Sequence, residues 1–163
     1  MYLEKGSPFP ADFDESAVNV HGGTAVAALA GLLTDAEVSE QVALQDRDVA
    51  AAGADSIGLT VYPPYPGKAF IHGGAGMGEY QYQNGGDWDW FGARMVLALV
   101  DRDPATAYRE LRPMAERVVR SGDFYEWWDR KGAPQGSAHF KGAAGVMGMA
   151  IVRLQAWAAA HHS

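Results

Sequence analysis

One carboxylate in this sequence lies in surroundings that suit acid–base chemistry. Glu126 follows Phe124 and Tyr125 and precedes Trp127 and Trp128. Aromatic side chains would partly desolvate the carboxylate and make it a better proton acceptor. The same pattern is also typical of a solvated loop carboxylate among packing aromatics, so the residues alone leave both interpretations open.

A second group of candidates lies upstream. The side chains of Gln83 and Asn84 can each donate and accept, which suits the recognition of hydroxyl groups, although Asn84 with two following glycines is also a simple turn. Asp87 and Asp89 stand at the start of a predicted helix, where the helix dipole stabilises carboxylates. Capping therefore explains them, with ligand contact as the functional alternative. Trp88 belongs to the same segment.

Composition excludes several classes of protein. The chain has 163 residues, a length that indicates one domain, and 48% of them are hydrophobic, which indicates a folded protein. Its net charge is -7, without the basic stripe that nucleic-acid binding requires. It has no cysteine, and no histidine and carboxylate have a spacing typical of a metal site, so we expect neither metal nor cofactor.

The sequence predicts a soluble protein. The segment Met1–Pro10 lacks the apolar core of a secretory signal, which favours the cytoplasm without deciding location. The apolar runs also fall short of the roughly 18 to 20 residues that span a bilayer. We therefore expect no membrane contact.

Hydrophobic periodicity predicts five helices. Helices one, three and five are apolar around most of their circumference, whereas helices two and four have one apolar stripe, which in helix four is Tyr108, Leu111, Ala115, Val118 and Val119. Pro113 should kink or split helix four. The predicted ranges are Ser16–Leu33, Thr34–Ala52, Asp87–Val100, Asp103–Arg120 and His139–Ala159.

The alternation of fully apolar and amphipathic helices predicts an all-α fold of helical hairpins that form part of an (α/α) toroid. Inner helices of such a ring are covered on all sides, and outer helices keep one wet face. The inner helices run parallel, so the segments that precede them, 1–15, 54–86 and 122–138, converge at one end. Long loops on a rigid scaffold commonly carry function.

Three segments in these loops resemble a known family. They are Tyr82-Gln83-Asn84-Gly85-Gly86-Asp87-Trp88-Asp89-Trp90, then Phe124-Tyr125-Glu126-Trp127-Trp128, and finally Phe140-Lys141-Gly142-Ala143-Ala144-Gly145. Together with the loop around Tyr62, they are similar to the carboxyl-terminal region of six-hairpin (α/α)-barrel glycosidases and related sugar phosphorylases. Such a barrel has twelve helices, so the resemblance implies that residues 1–163 form the carboxyl-terminal half of one.

The resemblance implies a carbohydrate-active protein that acts on an oligosaccharide or glycoside. Inverting glycosidases use two carboxyls. The resemblance casts Glu126 as the general base and leaves the general acid outside this chain. It implies sugar contacts by Gln83, Asn84, Asp87, Trp88, Asp89, Tyr125, Trp127, Trp128 and Tyr62.

Three alternatives remain open at this point. A positive patch formed by Arg130, Lys131, His139 and Lys141 would suit the phosphate of a sugar phosphorylase. Half a ring could also bind sugars without catalysis. Finally, the apolar flanks of helices one and five predict self-association or a partner chain that supplies the missing half.

Overall fold

The structure is a computed structural model that describes residues 14–66 and 78–161. Within these ranges it has five α-helices: α1 (His21–Leu29), α2 (Asp35–Ala52), α3 (Asp89–Leu99), α4 (Pro104–Ser121) and α5 (Lys141–His161). Two short antiparallel strand pairs join the loops: β1 (Asn19–Val20) with β2 (Val61–Tyr62), and β3 (Trp127–Trp128) with β4 (Pro134–Gln135). The prediction of an all-α fold is confirmed.

The ends of α2 and α4 are set by local sequence. Thr34 and Glu37 form a reciprocal capping box at the start of α2, in which the Thr34 N–H donates to Glu37 Oε2 at 2.8 Å. Asp103 accepts from the Thr106 N–H at the start of α4, where Pro104 occupies the first turn. Gly53 and Gly122 end the two helices in the left-handed conformation. These boundaries agree with prediction.

Helix α1 is shorter than predicted. Residues Glu15–Ala17 form a 3-10 turn, and Asn19 and Val20 then pair with Tyr62 and Val61 as a strand. The helix starts only at His21, because the preceding backbone hydrogen-bonds to β2 instead of to its own next turn. At the other end, Gly31 adopts a φ of 72°, which ends the helix before the predicted Leu33.

Helix α3 is the centre of the described fold. It packs against α1 on one side and α5 on another, and α4 covers it as well. Its buried residues, including Ala93, Met95, Val96 and Leu99, join one core with residues of the other four helices. Helices α1, α3 and α5 therefore stand side by side in that order, which is the order expected for the inner row of the predicted ring.

The predicted covering of the inner helices on all sides is approached by α3, none of whose residues is exposed, but it is wrong for α1 and α5. Val26 and Leu29 of α1 are 44% and 43% exposed, and Met149 and Val152 of α5 are 60% and 63% exposed. These helices stand at the two ends of the row, so each has a neighbour on one side only.

Helix α4 differs from its prediction in two respects. Pro113 lies inside a helix that continues to Ser121, so it does not split α4, because the packing of the inner face outweighs the lost backbone hydrogen bond. Tyr108 and Val119, predicted to be buried, are 63% and 81% exposed. The buried face instead includes Arg117, which periodicity of apolar residues assigned to the wet side.

Helix α5 is, by length and composition only, apolar enough to cross a membrane, with a mean hydropathy of 1.3. The prediction from uninterrupted apolar runs missed this property. A single such helix is weak evidence for a span, because core helices of soluble proteins meet the same criterion.

Candidate functional site

The loops that precede α1, α3 and α5 meet at one end of the fold. The Gly22 N–H donates to the Thr60 carbonyl at 3.0 Å, and the Thr60 N–H donates to Gly86 O at 3.1 Å. Asp87 and Trp128 exchange two backbone hydrogen bonds, at 2.7 and 3.0 Å. Within the described ranges, the predicted gathering of these loops is therefore present, and it brings the Gln83–Asp89 segment beside β3.

A buried ion cluster ties these loops to α4. The guanidinium of Arg117 binds both carboxylate oxygens of Asp87, each at 2.7 Å. It also donates to Asp89 Oδ1, at 2.6 Å from Nη2 and 3.1 Å from Nε. All three side chains are 1% exposed or less. Since one guanidinium faces two carboxylates, every remaining oxygen lone pair needs a further donor.

Two loop residues supply those donors. Ser56 gives its hydroxyl to Asp87 Oδ1 at 2.7 Å and its N–H to Asp87 Oδ2 at 3.0 Å. The indole of Trp128 donates to Asp89 Oδ2 at 2.8 Å. The cluster thus joins α4 to the segment that precedes α3 and to β3, and it fixes where Glu126 lies.

Burial and the charges within this cluster shift the pKa values of Asp89 and Arg117. Burial raises the pKa of Asp89, an effect that Arg117 opposes and the neighbouring Asp87 reinforces. Burial disfavours the charge on Arg117, but the two carboxylates outweigh it and raise the pKa of the guanidinium. Arg117 therefore stays charged at every ordinary pH.

The structure gives Asp87 and Asp89 a role that sequence analysis did not foresee. Neither caps α3, whose N-cap residue is Trp88 and which has no side-chain capping hydrogen bond, and both carboxylates are bound by buried partners. Periodicity could not reveal this role, because an arginine on an amphipathic helix is ordinarily solvated. The signal was Arg117 itself, which lies on the same helical face as Met114 and Leu111.

Three other predicted site residues also lie in the interior. Asn84 is 1% exposed and holds the backbone of Tyr65, accepting from its N–H and donating to its carbonyl, both at 2.8 Å. The indole of Trp88 donates to the Tyr82 carbonyl at 3.0 Å, and Trp88 and Trp128 are 3% and 1% exposed. These residues shape the loops from beneath.

Glu126 is half-buried and held at both carboxylate oxygens. The Tyr82 hydroxyl donates to Oε1 at 3.1 Å, and the Ser137 N–H donates to Oε2 at 3.1 Å. The backbone N–H of Glu126 also donates to the Ser137 carbonyl at 3.0 Å. Gly136 is required here, because a Cβ at that position would lie 2.6 Å from Glu126 Oε2.

Tyr82 is a site residue that sequence analysis quoted only as part of a motif. Its φ of 48° is uncommon for a bulky residue and turns the phenol toward Glu126. Burial raises the pKa of this phenol, and the hydrogen bond to Glu126 raises it further. Tyr82 therefore remains a protonated donor at neutral pH.

A cavity of about 540 Å³ opens next to β3 and β4, and its described lining includes Trp127, the residue after Glu126, but not Glu126 itself. Trp127 and Gln135, which face each other across β3 and β4, form one wall, and Tyr80 and Arg130 form another. The Arg130 guanidinium lies 3.9 Å above the Tyr80 ring, a cation–π contact. Burial raises the pKa of Tyr80, to which the nearby Tyr62 also contributes.

The remaining predicted contacts lie around these features. Tyr125 is half-buried with its ring 5.6 Å from that of Trp128, and Gln83 is exposed. The predicted positive patch is divided: Arg130 and Lys131 line the cavity, whereas His139 pairs with Asp123 at 2.7 Å. The cavity also contains acidic groups that balance its two cations.

A second buried pair lies away from Glu126. His21 Nε2 is 3.0 Å from Asp48 Oδ2, and the Asn19 amide donates to the same oxygen at 2.6 Å. Burial lowers the pKa of His21, against the effect of Asp48. This agrees with a satisfied core histidine. A carboxylate on an amphipathic helix such as α2 is expected to face solvent, but Asp48 is only 4% exposed.

No cluster that could hold a metal ion occurs among residues 14–66 and 78–161. No protein-family model matches this sequence, and no curated protein matches it at a significant level.

Proposed function

We propose that this chain carries the general-base side of a carbohydrate-cleaving site of the inverting type, with Glu126 as the base. The proposal rests on the hydrogen bonds to the Glu126 carboxylate: the Tyr82 phenol donates to one oxygen, and the Ser137 N–H donates to the other. These donors hold the carboxylate in one orientation. Each oxygen keeps a second lone pair that can accept a proton from water.

The chemistry follows from that orientation. A water held by Glu126 would lose a proton to the carboxylate as its oxygen attacks the anomeric carbon. The leaving oxygen would take a proton from a general acid on the opposite face of the sugar. We place that acid outside this chain, since the implied first half of the barrel would supply it.

Binding of a cationic iminosugar tests the proposal without requiring the missing acid. An iminosugar carries positive charge where charge develops during glycoside cleavage, so a nearby carboxylate should favour it over the parent sugar. We expect Glu126→Gln to weaken iminosugar binding by about tenfold or more, as loss of a charge-assisted contact predicts. Isothermal titration calorimetry measures this difference.

Glu116→Gln provides the matched control, because Glu116 is an exposed carboxylate on α4 that pairs with Arg112. It should leave affinity unchanged. Equal iminosugar affinity in wild type and Glu126→Gln would contradict the proposal. If sugars bind equally well to both and no glycoside is cleaved even beside a first-half partner, the chain is a binding module.

Phosphorolysis is the second reaction to consider, because the cavity has two cationic residues. Arg130 and Lys131 border the cavity, and a phosphate could replace water as the attacking group. Glu79 and Asp129 line the same cavity and would repel a phosphate, which supports hydrolysis as the proposal. Formation of a sugar phosphate from glycoside and inorganic phosphate would reverse this choice.

A further inference from the structure

We infer that the cavity bounded by Trp127, Asp129 and Arg130 is a binding site for an uncharged sugar ring. This inference rests on the proposed function and adds the class of sugar and the residues that select it. Apart from Trp127, sequence analysis did not name the residues of this wall as sugar contacts. Three observations support it: preorganised polar groups, a balanced charge and an aromatic wall.

The polar groups are fixed by contacts that leave part of each one open. Asp129 Oδ1 accepts from the Lys131 N–H at 2.8 Å and from the Ala133 N–H at 3.0 Å. Among the described residues, Asp129 Oδ2 has no donor. A carboxylate held by one oxygen with the other open is prepared to accept from a sugar hydroxyl without further ordering.

Arg130 is prepared in the same way. Its Nη1 donates to the Ala52 carbonyl at 3.3 Å, and its guanidinium is stacked on the Tyr80 ring. Its other two nitrogens have no acceptor in the part of the chain that the structure describes. Asp129 therefore offers an acceptor and Arg130 offers donors, and neighbouring hydroxyls of one sugar can use both.

The charges in the lining balance. Arg130 and Lys131 contribute two positive charges, and Glu79 and Asp129 contribute two negative charges. An anionic sugar would gain from one pair and lose to the other, so the cavity does not favour it. A neutral ring with several hydroxyls makes hydrogen bonds to both signs at no such cost.

The remaining wall is suited to the apolar face of a pyranose. Trp127 is only half-buried and lines the cavity beside Gln135. The volume of the cavity, about 540 Å³, falls in the range of small-ligand sites. Glu126 is not among the described residues that line the cavity, so the sugar site is a neighbour of the proposed base along β3 and not part of it.

Chemical shift mapping of the tryptophan indole N–H signals, with titration to saturation, tests the inference. The probes are the methyl glycosides of glucose, galactose and mannose, with cellobiose and maltose, compared with glucuronate and glucose 6-phosphate. We expect at least one neutral probe to bind and to shift the Trp127 signal, and the anionic counterparts to bind more weakly.

Asp129→Asn and Gln135→Ala are the informative variants. Asparagine retains an oxygen that can accept from the two turn N–H groups, so Asp129→Asn should keep the fold while lowering affinity by about tenfold, as loss of a hydrogen bond to a charged group predicts. Asp101→Asn is the matched control, since Asp101 is an exposed carboxylate after α3. Circular dichroism checks that each variant is folded.

The outcomes separate this inference from the proposed function. Absence of binding by every neutral probe, or tighter binding of the anionic ones, would overturn it. So would affinity that is unchanged in both folded variants. Sugar binding that depends on Asp129 and persists in Glu126→Gln, without any preference for the iminosugar, would support the cavity while removing the role of Glu126 as a base.

Discussion

At the residue scale, the buried guanidinium of Arg117 is the group that holds the loops together. Arg117 satisfies two buried carboxylates that otherwise would face each other unpaired. A buried ion pair as a whole adds little to the free energy of unfolding, because burying the charges is costly. Removing Arg117 alone is expected to be strongly destabilising, because it leaves the two carboxylates buried without a cation. The residues predicted to touch a sugar therefore divide into a buried support and an accessible rim around Glu126.

Arg117→Met tests that support. It leaves Asp87 and Asp89 buried without their cation, so the free energy of unfolding should fall by about 3–5 kcal/mol. Urea denaturation followed by circular dichroism measures the loss. Arg112→Met, on the exposed face of the same helix, should change stability by no more than about 0.5 kcal/mol. Equal losses in both variants would show that the cluster does not hold the loops.

The raised pKa of Asp89 predicts a pH dependence of stability. Its folded pKa lies above the ordinary value of about 3.9, so the folded state binds more protons in mild acid than the unfolded state. The contribution of Asp89 to stability is then fully present below the ordinary value and is lost as pH rises through the raised pKa. The stability difference between wild type and Asp89→Asn should therefore shrink from pH 4 to pH 7 in urea denaturation. A difference that grows with pH would contradict the assignment.

At the element scale, glycines mark where backbones approach. A Cβ on Gly92 of α3 would lie 2.7 Å from Met114 Sδ and 3.0 Å from the Gly58 nitrogen. The glycines of α5 could permit a similar close approach. Only Gly142 shows it there, since a Cβ on Gly145 or Gly148 would meet nothing within 4 Å. The outer face of α5 is thus open in the described structure.

Two alanine substitutions distinguish these environments. Gly92→Ala would force α3 away from α4 and the 54–60 loop, at a cost of about 1–3 kcal/mol. Gly145→Ala adds a better helix former in open space and should stabilise the chain by up to about 1 kcal/mol. Thermal unfolding of both variants checks the signs. Destabilisation by Gly145→Ala would indicate that something already packs on α5 in solution.

At the scale of the whole molecule, the row of inner helices ends in two apolar faces. Val26 and Leu29 of α1, and Met149 and Val152 of α5, are the exposed residues that define these faces. Exposed apolar patches of this kind commonly mark association surfaces. The proposal that the chain self-associates or docks on a partner supplying the first half of a ring follows from this exposure.

Val152→Glu tests the association. Placing a charge on the open face of α5 should shift the chain toward monomer, because a desolvated charge opposes docking. Sedimentation velocity across a range of concentrations measures the shift, and Val119→Glu, which makes the corresponding exchange on the exposed face of α4, is the matched control. A wild-type chain that stays monomeric at high concentration would contradict the proposal.

Local signals in the sequence were sufficient for the helices and most of their ends. The capping box at Thr34, the glycine at position 53 and the Asp103–Pro104 start act within one helical turn, so spacing alone reveals them. The convergence of loops followed as well, because parallel inner helices must share their starting end. Glu126 became a candidate for the same reason: its aromatic neighbours are adjacent in the chain.

Tertiary structure decided which polar groups are buried and which apolar faces are exposed. Arg117, Asp87 and Asp48 are polar by composition, yet partners about 30 residues away in the chain satisfy them inside the fold. Leu29 and Val152 are apolar, yet they are exposed, because α1 and α5 are the two ends of the row of helices. Burial of these groups depends on contacts between distant segments, and the local sequence does not specify the partners in those contacts.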